Sequence, residues 1–137
     1  MSMIRMIAKK HAVTAAAISL LALLAGPAAA QEPPDDASSY GAIAYRVNGS
    51  RYSYGYSWNY SSMSGANRRA IEECGGNCPV VMRFWGVFCG SLARGDNGAW
   101  GTASGATQGE ANNTARQTCR NYGGTNCSVL VEVCNTQ

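Results

Sequence analysis

The chain has 137 residues, a formal charge of +3 and one histidine, His11. Its three basic residues outside the arginine-only remainder, Arg5, Lys9 and Lys10, stand near the start, so residues 31–137 hold eight arginines against eight acids, with no lysine and no histidine. That composition excludes Ser-His-Asp and Cys-His catalysis, histidine-ligated metals and lysine Schiff bases from residues 31–137.

Arg5, Lys9, Lys10 and His11 precede an apolar run from Ala12 to Leu24, and Ala28-Ala29-Ala30 supplies the small residues of a cleavage site before Gln31. Residues 1–30 therefore read as a signal peptide. Gln31 stands where an exported lipoprotein would need cysteine, and no second hydrophobic stretch approaches the roughly 18 residues of a membrane span. A soluble product, secreted or periplasmic, is expected. Residues 31–39 (QEPPDDASS) contain two prolines, three acids and no apolar residue larger than alanine. Such a segment cannot offset its ordering entropy in a core and reads as a flexible acidic linker. Residues 40–137 then carry eight arginines against five acids, a bias too mild for a nucleic-acid binder.

The remainder repeats itself. Tyr40-Gly41-Ala42-Ile43-Ala44 recurs as Cys89-Gly90-Ser91-Leu92-Ala93, and Ser62-x3-Ala66-x3-Ala70-x3-Cys74 recurs as Thr107-x3-Ala111-x3-Ala115-x3-Cys119. Gly75-Gly76-Asn77-Cys78 recurs as Gly123-Gly124-Thr125-Asn126-Cys127. Three landmarks in order imply duplication of one supersecondary unit, with repeat one over 40–88 and repeat two over 89–137.

Each unit reads strand, hairpin turn, strand, helix, strand. In the first, strands at Tyr40–Arg46 and Arg51–Tyr60 flank Asn48-Gly49, Ser62 caps a helix with Met63, Ala66, Ala70 and Cys74 on one stripe, and a third strand covers Pro79–Phe84. In the second, strands near Val87–Arg94 and Ala99–Ala103 flank Asn97-Gly98. Thr107 and Glu110 form a capping box for a helix with Ala111, Ala115, Cys119 and Tyr122 inward, and Ser128–Val133 closes the unit. The expected fold class is α+β: a tandem ββαβ repeat whose antiparallel sheets pack with two short helices.

A single domain of this size has a modest core and needs further support. Six cysteines, all after residue 70, form the pattern of a disulfide framework in an oxidising compartment. If both copies fold alike, the pairs are Cys74–Cys78 and Cys119–Cys127, which leaves Cys89 with Cys134. The alternatives are a cross-link between units through Cys74–Cys119 and a zinc site of Cys74, Cys78, Cys119 and Cys127. The zinc site would strand two cysteines and use a long second spacing.

The opening Tyr40-Gly41-Ala42-Ile43-Ala44-Tyr45, the aromatic Gly55–Tyr60 segment, Cys74…Cys78-Pro79-Val80-Val81 and the closing Val131-Glu132-Val133-Cys134 resemble the DUF4189 family of exported bacterial proteins. The likeness spans residues 40–137. It implies an exported disulfide domain, and because the family has no assigned activity it brings no catalytic motif. Many relatives have a second aromatic-rich strand before the second helix, where this chain keeps only Trp100.

Tyr52, Tyr54, Tyr56, Trp58 and Tyr60 alternate with Arg51, Ser53, Gly55, Ser57 and Asn59, so a strand here puts five rings on one face. The favoured expectation is that this face lies under the helices as core. Counting back from each helix cap aligns Tyr54, Tyr56 and Trp58 with Ala99, Gly101 and Ala103, so large residues of one copy would fill space left by small ones of the other. The competing expectation is that the rings are exposed and bind a sugar, peptide or partner protein.

Enzymatic readings find little support. Glu72 and Glu73 are adjacent on a helix and point apart, Glu110 is explained as a cap, and no Gly-x-Ser-x-Gly or Cys-x-x-Cys motif occurs. Arg68 and Arg69 are placed to pair with Glu72 and Glu73. The expectation is a monomeric, non-enzymatic binding domain with no cofactor and no metal, acting on an extracytoplasmic protein or glycan and not on nucleic acid. An inhibitor plugging an enzyme with the Asn97-Gly98 or Asn48-Gly49 loop, or a small carboxylate-dependent hydrolase, are the alternatives.

Overall fold

The computed structural model describes residue 34 and residues 37–136, so the expected signal over 1–30 lies outside the described residues. Eight elements follow in order: β1 (Tyr40–Asn48), β2 (Arg51–Tyr60), α1 (Met63–Glu73), β3 (Val80–Trp85), β4 (Cys89–Arg94), β5 (Trp100–Gly105), α2 (Gln108–Asn121) and β6 (Ser128–Cys134). They are the two expected ββαβ units. Each makes an antiparallel three-stranded sheet with its first strand in the middle, β2-β1-β3 and β5-β4-β6.

Alternation along the central strands decides the layering. Ala42 and Ala44 of β1 pack with Ala66 and Ala70 of α1, while Ile43 and Tyr45 on the other face pack with Phe84, Leu92, Val131 and Val133. Ala93 and Ala103 pack with Ala115 and Cys119 of α2. The domain is therefore a helix, two sheets and a second helix, with large side chains between the sheets and alanines under the helices. At the centre, the Phe84 ring lies against Gly41 and Gly90, which occupy matching places in the two units and leave no room for a Cβ.

The helix starts follow their caps. Ser62 Oγ accepts from the Gly65 N–H at 3.2 Å and Thr107 Oγ1 accepts from the Glu110 N–H at 3.2 Å. The Glu110 carboxylate accepts from the Ala106 N–H at 3.0 Å, one residue earlier than a reciprocal capping box requires. Helix α1 ends at Cys74, before Gly75 and Gly76, both at positive φ. Tyr122, expected to point inward, is the C-cap of α2 and is 74% exposed, because the helical stripe stops at Cys119.

The first hairpin turn is displaced by one residue. Asn48 pairs with Arg51 inside the ladder, and Gly49-Ser50 is the loop, with Gly49 at φ 61. The strand expected from Val87 starts at Cys89, and Val87 and Phe88 are exposed. Of the expected linker, Ala37 packs against the α1 core and Ser39 is buried, its carbonyl accepting from the Gly86 N–H.

Three disulfides join Cys74–Cys78, Cys89–Cys134 and Cys119–Cys127, with no free cysteine among the six. This settles the pairing as the duplication suggested and removes both the Cys74–Cys119 link and the zinc site. Cys89 faces Cys134 across the β4–β6 ladder, just as Tyr40 faces Trp85 across β1–β3.

Candidate functional site

Strand β2 is an edge strand, and its two faces have opposite characters. Gly55 lies directly under the backbone of α1 at Ala70 and Cys74, and Ser57 Oγ donates to the Ala66 carbonyl at 2.8 Å. A helix this close leaves no room for rings. Tyr52, Tyr54, Tyr56 and Trp58 accordingly point to the face away from α1, where each is 39–48% exposed. The expectation that the aromatic face lies under the helices is overturned by this steric demand.

Tyr60 does not share that face. The β1–β2 register passes from Ala42↔Ser57 to Tyr40↔Tyr60, so Trp58 and Asn59 together oppose Gly41, and Asn59 adopts φ 58. This bulge returns Tyr60 to the helix side, where it is half-buried against the α1 core. The row thus has four rings, not five. The same extra residue upsets the count from the helix caps: the pairings Ala44↔Gly55 and Ala93↔Gly101 make Gly101 and Ala103 the counterparts of Gly55 and Ser57, not of Tyr56 and Trp58. The small residues of β5 therefore accommodate α2 and do not receive the rings of β2.

The four rings form two stacked pairs, Tyr52–Tyr54 with centroids 6.4 Å apart and Tyr56–Trp58 at 5.9 Å. Arg94 lies 4.4 Å over the Tyr52 ring. The row is anchored through Tyr45, whose ring is 6.2 Å from Tyr52 and 5.2 Å from Trp100. Tyr45 is buried, and its hydroxyl lies beside the Arg94 guanidinium without a well-aligned hydrogen bond to it. Burial raises its pKa above 10.0; the neighbouring Arg94 guanidinium opposes the rise and Tyr52 adds slightly to it.

A groove of about 530 Å³ runs along the outer edge of β2, lined by Tyr56 and Trp58 from one face and by Ser57, Tyr60, Arg69 and Glu73 from the other. Arg69 and Glu73 are ion-paired, as are Arg68 and Glu72 at 3.9 Å, all four well exposed. Such pairs contribute little to stability and leave their charges open to a ligand. A second groove of about 600 Å³ is lined by Val81 of β3 and by Trp100, Thr102 and Tyr122 of the second unit. Sequence reasoning missed it because Tyr122 was assigned to the core. Among the described residues, no group of three His, Cys, Asp or Glu side chains is placed to hold a metal ion.

Comparison with known proteins agrees with this architecture. Protein Rv1269c of Mycobacterium tuberculosis and Protein Mb1300c of Mycobacterium bovis are each 41% identical over 61 residues, which is 44% of this chain and 45% of theirs. The chain thus matches less than half the length of these curated relatives. The NMR structure of Rv1813c from Mycobacterium tuberculosis aligns over 98% of this chain and 100% of that one, with a TM-score of 0.53 and 24% identity, a likeness of fold alone. A family described as "Domain of unknown function (DUF4189)" matches residues 40–134, nearly the whole of the two-unit domain, and the chain belongs to that family.

Proposed function

We propose that this protein is an exported binding domain, not an enzyme, and that it recognises an envelope glycan or protein through the row Tyr52, Tyr54, Tyr56 and Trp58. The observation that carries the reading is the exposure of four consecutive rings on one strand face. Tyrosine and tryptophan give large contact area at low conformational cost, and contiguous aromatic surface on a small domain marks an interaction site. The Arg69–Glu73 pair at the groove adds donors and acceptors beside the rings, a combination that suits sugar hydroxyls or a peptide backbone. An extracytoplasmic location is supported by three disulfides, and no helix among the described residues is long and apolar enough to cross a membrane.

The inhibitor reading has less support. The Asn97 side chain is committed inside the domain, donating to the Gly123 carbonyl at 2.8 Å and accepting from the Thr125 N–H at 3.2 Å. The test is recovery of partners from envelope and culture supernatant with wild-type protein and with a Tyr56→Ala, Trp58→Ala variant of equal thermal stability. Loss of the recovered species is expected, and digestion of the captured material with glycosidase or protease separates glycan from protein. Equal recovery by both proteins would overturn the aromatic site.

A further inference from the structure

The outer edge of β2 has the geometry to pair with itself. The Tyr45 N–H donates to the Pro79 carbonyl on the β3 side, at 3.1 Å, and Tyr45 stands opposite Tyr54. In an antiparallel ladder the backbone groups alternate in direction, so those of Tyr54 point away from β1, as do those of Tyr52 opposite Val47 and Tyr56 opposite Ile43. No strand among the described residues meets them. The residues that expose their rings therefore also expose their hydrogen-bonding groups. Lysine, proline and charge, which blunt many exposed edges, are absent from Tyr52–Trp58, and the bulge at Trp58-Asn59 marks the end of the open stretch.

Charge along α1 selects a partner. Ser57 lies under Ala66 and Gly55 under Ala70 and Glu73, so α1 runs antiparallel to β2 with Glu73 at the level of Gly55. Arg69 is one helical turn earlier, about two strand residues away, at the level of Ser57. A two-fold axis at Tyr56 exchanges those two levels. It sets Arg69 beside Glu73 of the partner subunit and Glu73 beside Arg69 of the partner subunit. Tyr54 then falls opposite Trp58 of the partner subunit, on the same sheet face.

We propose that two copies of this chain associate by antiparallel β2–β2 pairing about an axis at Tyr56, which departs from the monomer expected of the sequence. The contact is isologous and closed, so it uses up the β2 edge without propagating. It joins two sheets into one of six strands and sets two aromatic rows side by side. The pairing needs no ligand; it takes up the groove at the β2 edge and the Arg69 and Glu73 side chains, and leaves the two aromatic rows on the sheet face as the recognition surface of the dimer.

Sedimentation velocity on the protein purified after export tests this without any ligand, so its outcome is separate from that of partner recovery. Wild type is expected to sediment as a dimer. Arg69→Glu and Glu73→Arg singly are expected to weaken association about tenfold, and the double exchange R69E/E73R to restore it. Tyr56→Lys, which sets two ammonium groups at the axis, is expected to give folded monomer by circular dichroism. A monomeric wild type, a dimer indifferent to Tyr56→Lys, or a double exchange no tighter than its singles would each overturn the proposal.

Discussion

The side-chain oxygen of Asn135 accepts a hydrogen bond from the backbone N–H of Asn59 at 2.9 Å, tying the end of the second unit to the bulge of the first. Asn135 is buried, and its amide donates to the Ser39 carbonyl at 3.3 Å. Asn59 returns the connection by accepting from the Thr136 N–H at 2.7 Å. Replacement Asn135→Ala strips the Asn59 N–H of its partner in a partly buried place. A loss of about 1–3 kcal/mol is expected in urea unfolding, and Asn135→Leu should not recover it, since size is not what is missing.

Gly55 and Gly101 hold equivalent places under their helices, each with helix backbone where a Cβ would stand. Gly55→Ala and Gly101→Ala should each force helix and sheet apart and destabilise by about 1–3 kcal/mol, read as a lower denaturant midpoint. Gly109, near the start of α2 with open space around it, provides the contrast. Gly109→Ala is expected to raise stability by up to about 1 kcal/mol.

These glycines also show what a sequence can disclose. The duplication, the element order, both N-caps and the disulfide partners were legible because they depend on local chemistry and on spacing between like landmarks. The direction of the aromatic row was not. Alternation placed five rings on one face, of which the bulge leaves four, and which face meets the helix depends on the close approach of α1 to Gly55. The bulge at Trp58-Asn59 carries no proline or glycine to announce it, and one extra residue inverts every assignment made by counting from the cap. Tyr122 was misplaced for a simpler reason: periodicity continues past the point where the helix ends.

The Tyr45 hydroxyl is buried beside Arg94 without a well-aligned hydrogen bond, and burial raises its pKa above 10.0. Above the ordinary pKa the unfolded chain releases this proton first, so the stabilisation is complete below about pH 10 and is lost as pH rises through the higher folded value. Unfolding measured between pH 8 and 11 should therefore show declining stability at the alkaline end. Tyr45→Phe should flatten that decline, because it removes the group whose proton release is displaced by folding.

The Cys89–Cys134 bond closes a sequence separation of 45 residues. On the chain-entropy account such a loop stabilises by about 4 kcal/mol, more than Cys74–Cys78 and Cys119–Cys127 with separations of 4 and 8. The paired change Cys89→Ser, Cys134→Ser should lower stability by up to that amount. The corresponding change at Cys74 and Cys78 should cost less, as measured by guanidinium midpoints.

Where the second unit closes its sheet with Cys89 and Cys134, the first has Tyr40 opposite Trp85, packed in the α1 core. One half is therefore locked by a covalent bond that electrons can open, and the other by burial of Tyr40 and Trp85 against the α1 core, which they cannot. A thiol reductant acts on a nearly symmetric molecule in an asymmetric way, loosening the β4–β6 seam while the corresponding seam of the half that carries the aromatic row stays shut. Each half keeps a reducible bond between its helix and its last strand, Cys74–Cys78 and Cys119–Cys127, but only the second half has one across its sheet, so reduction reaches strand closure in that half alone.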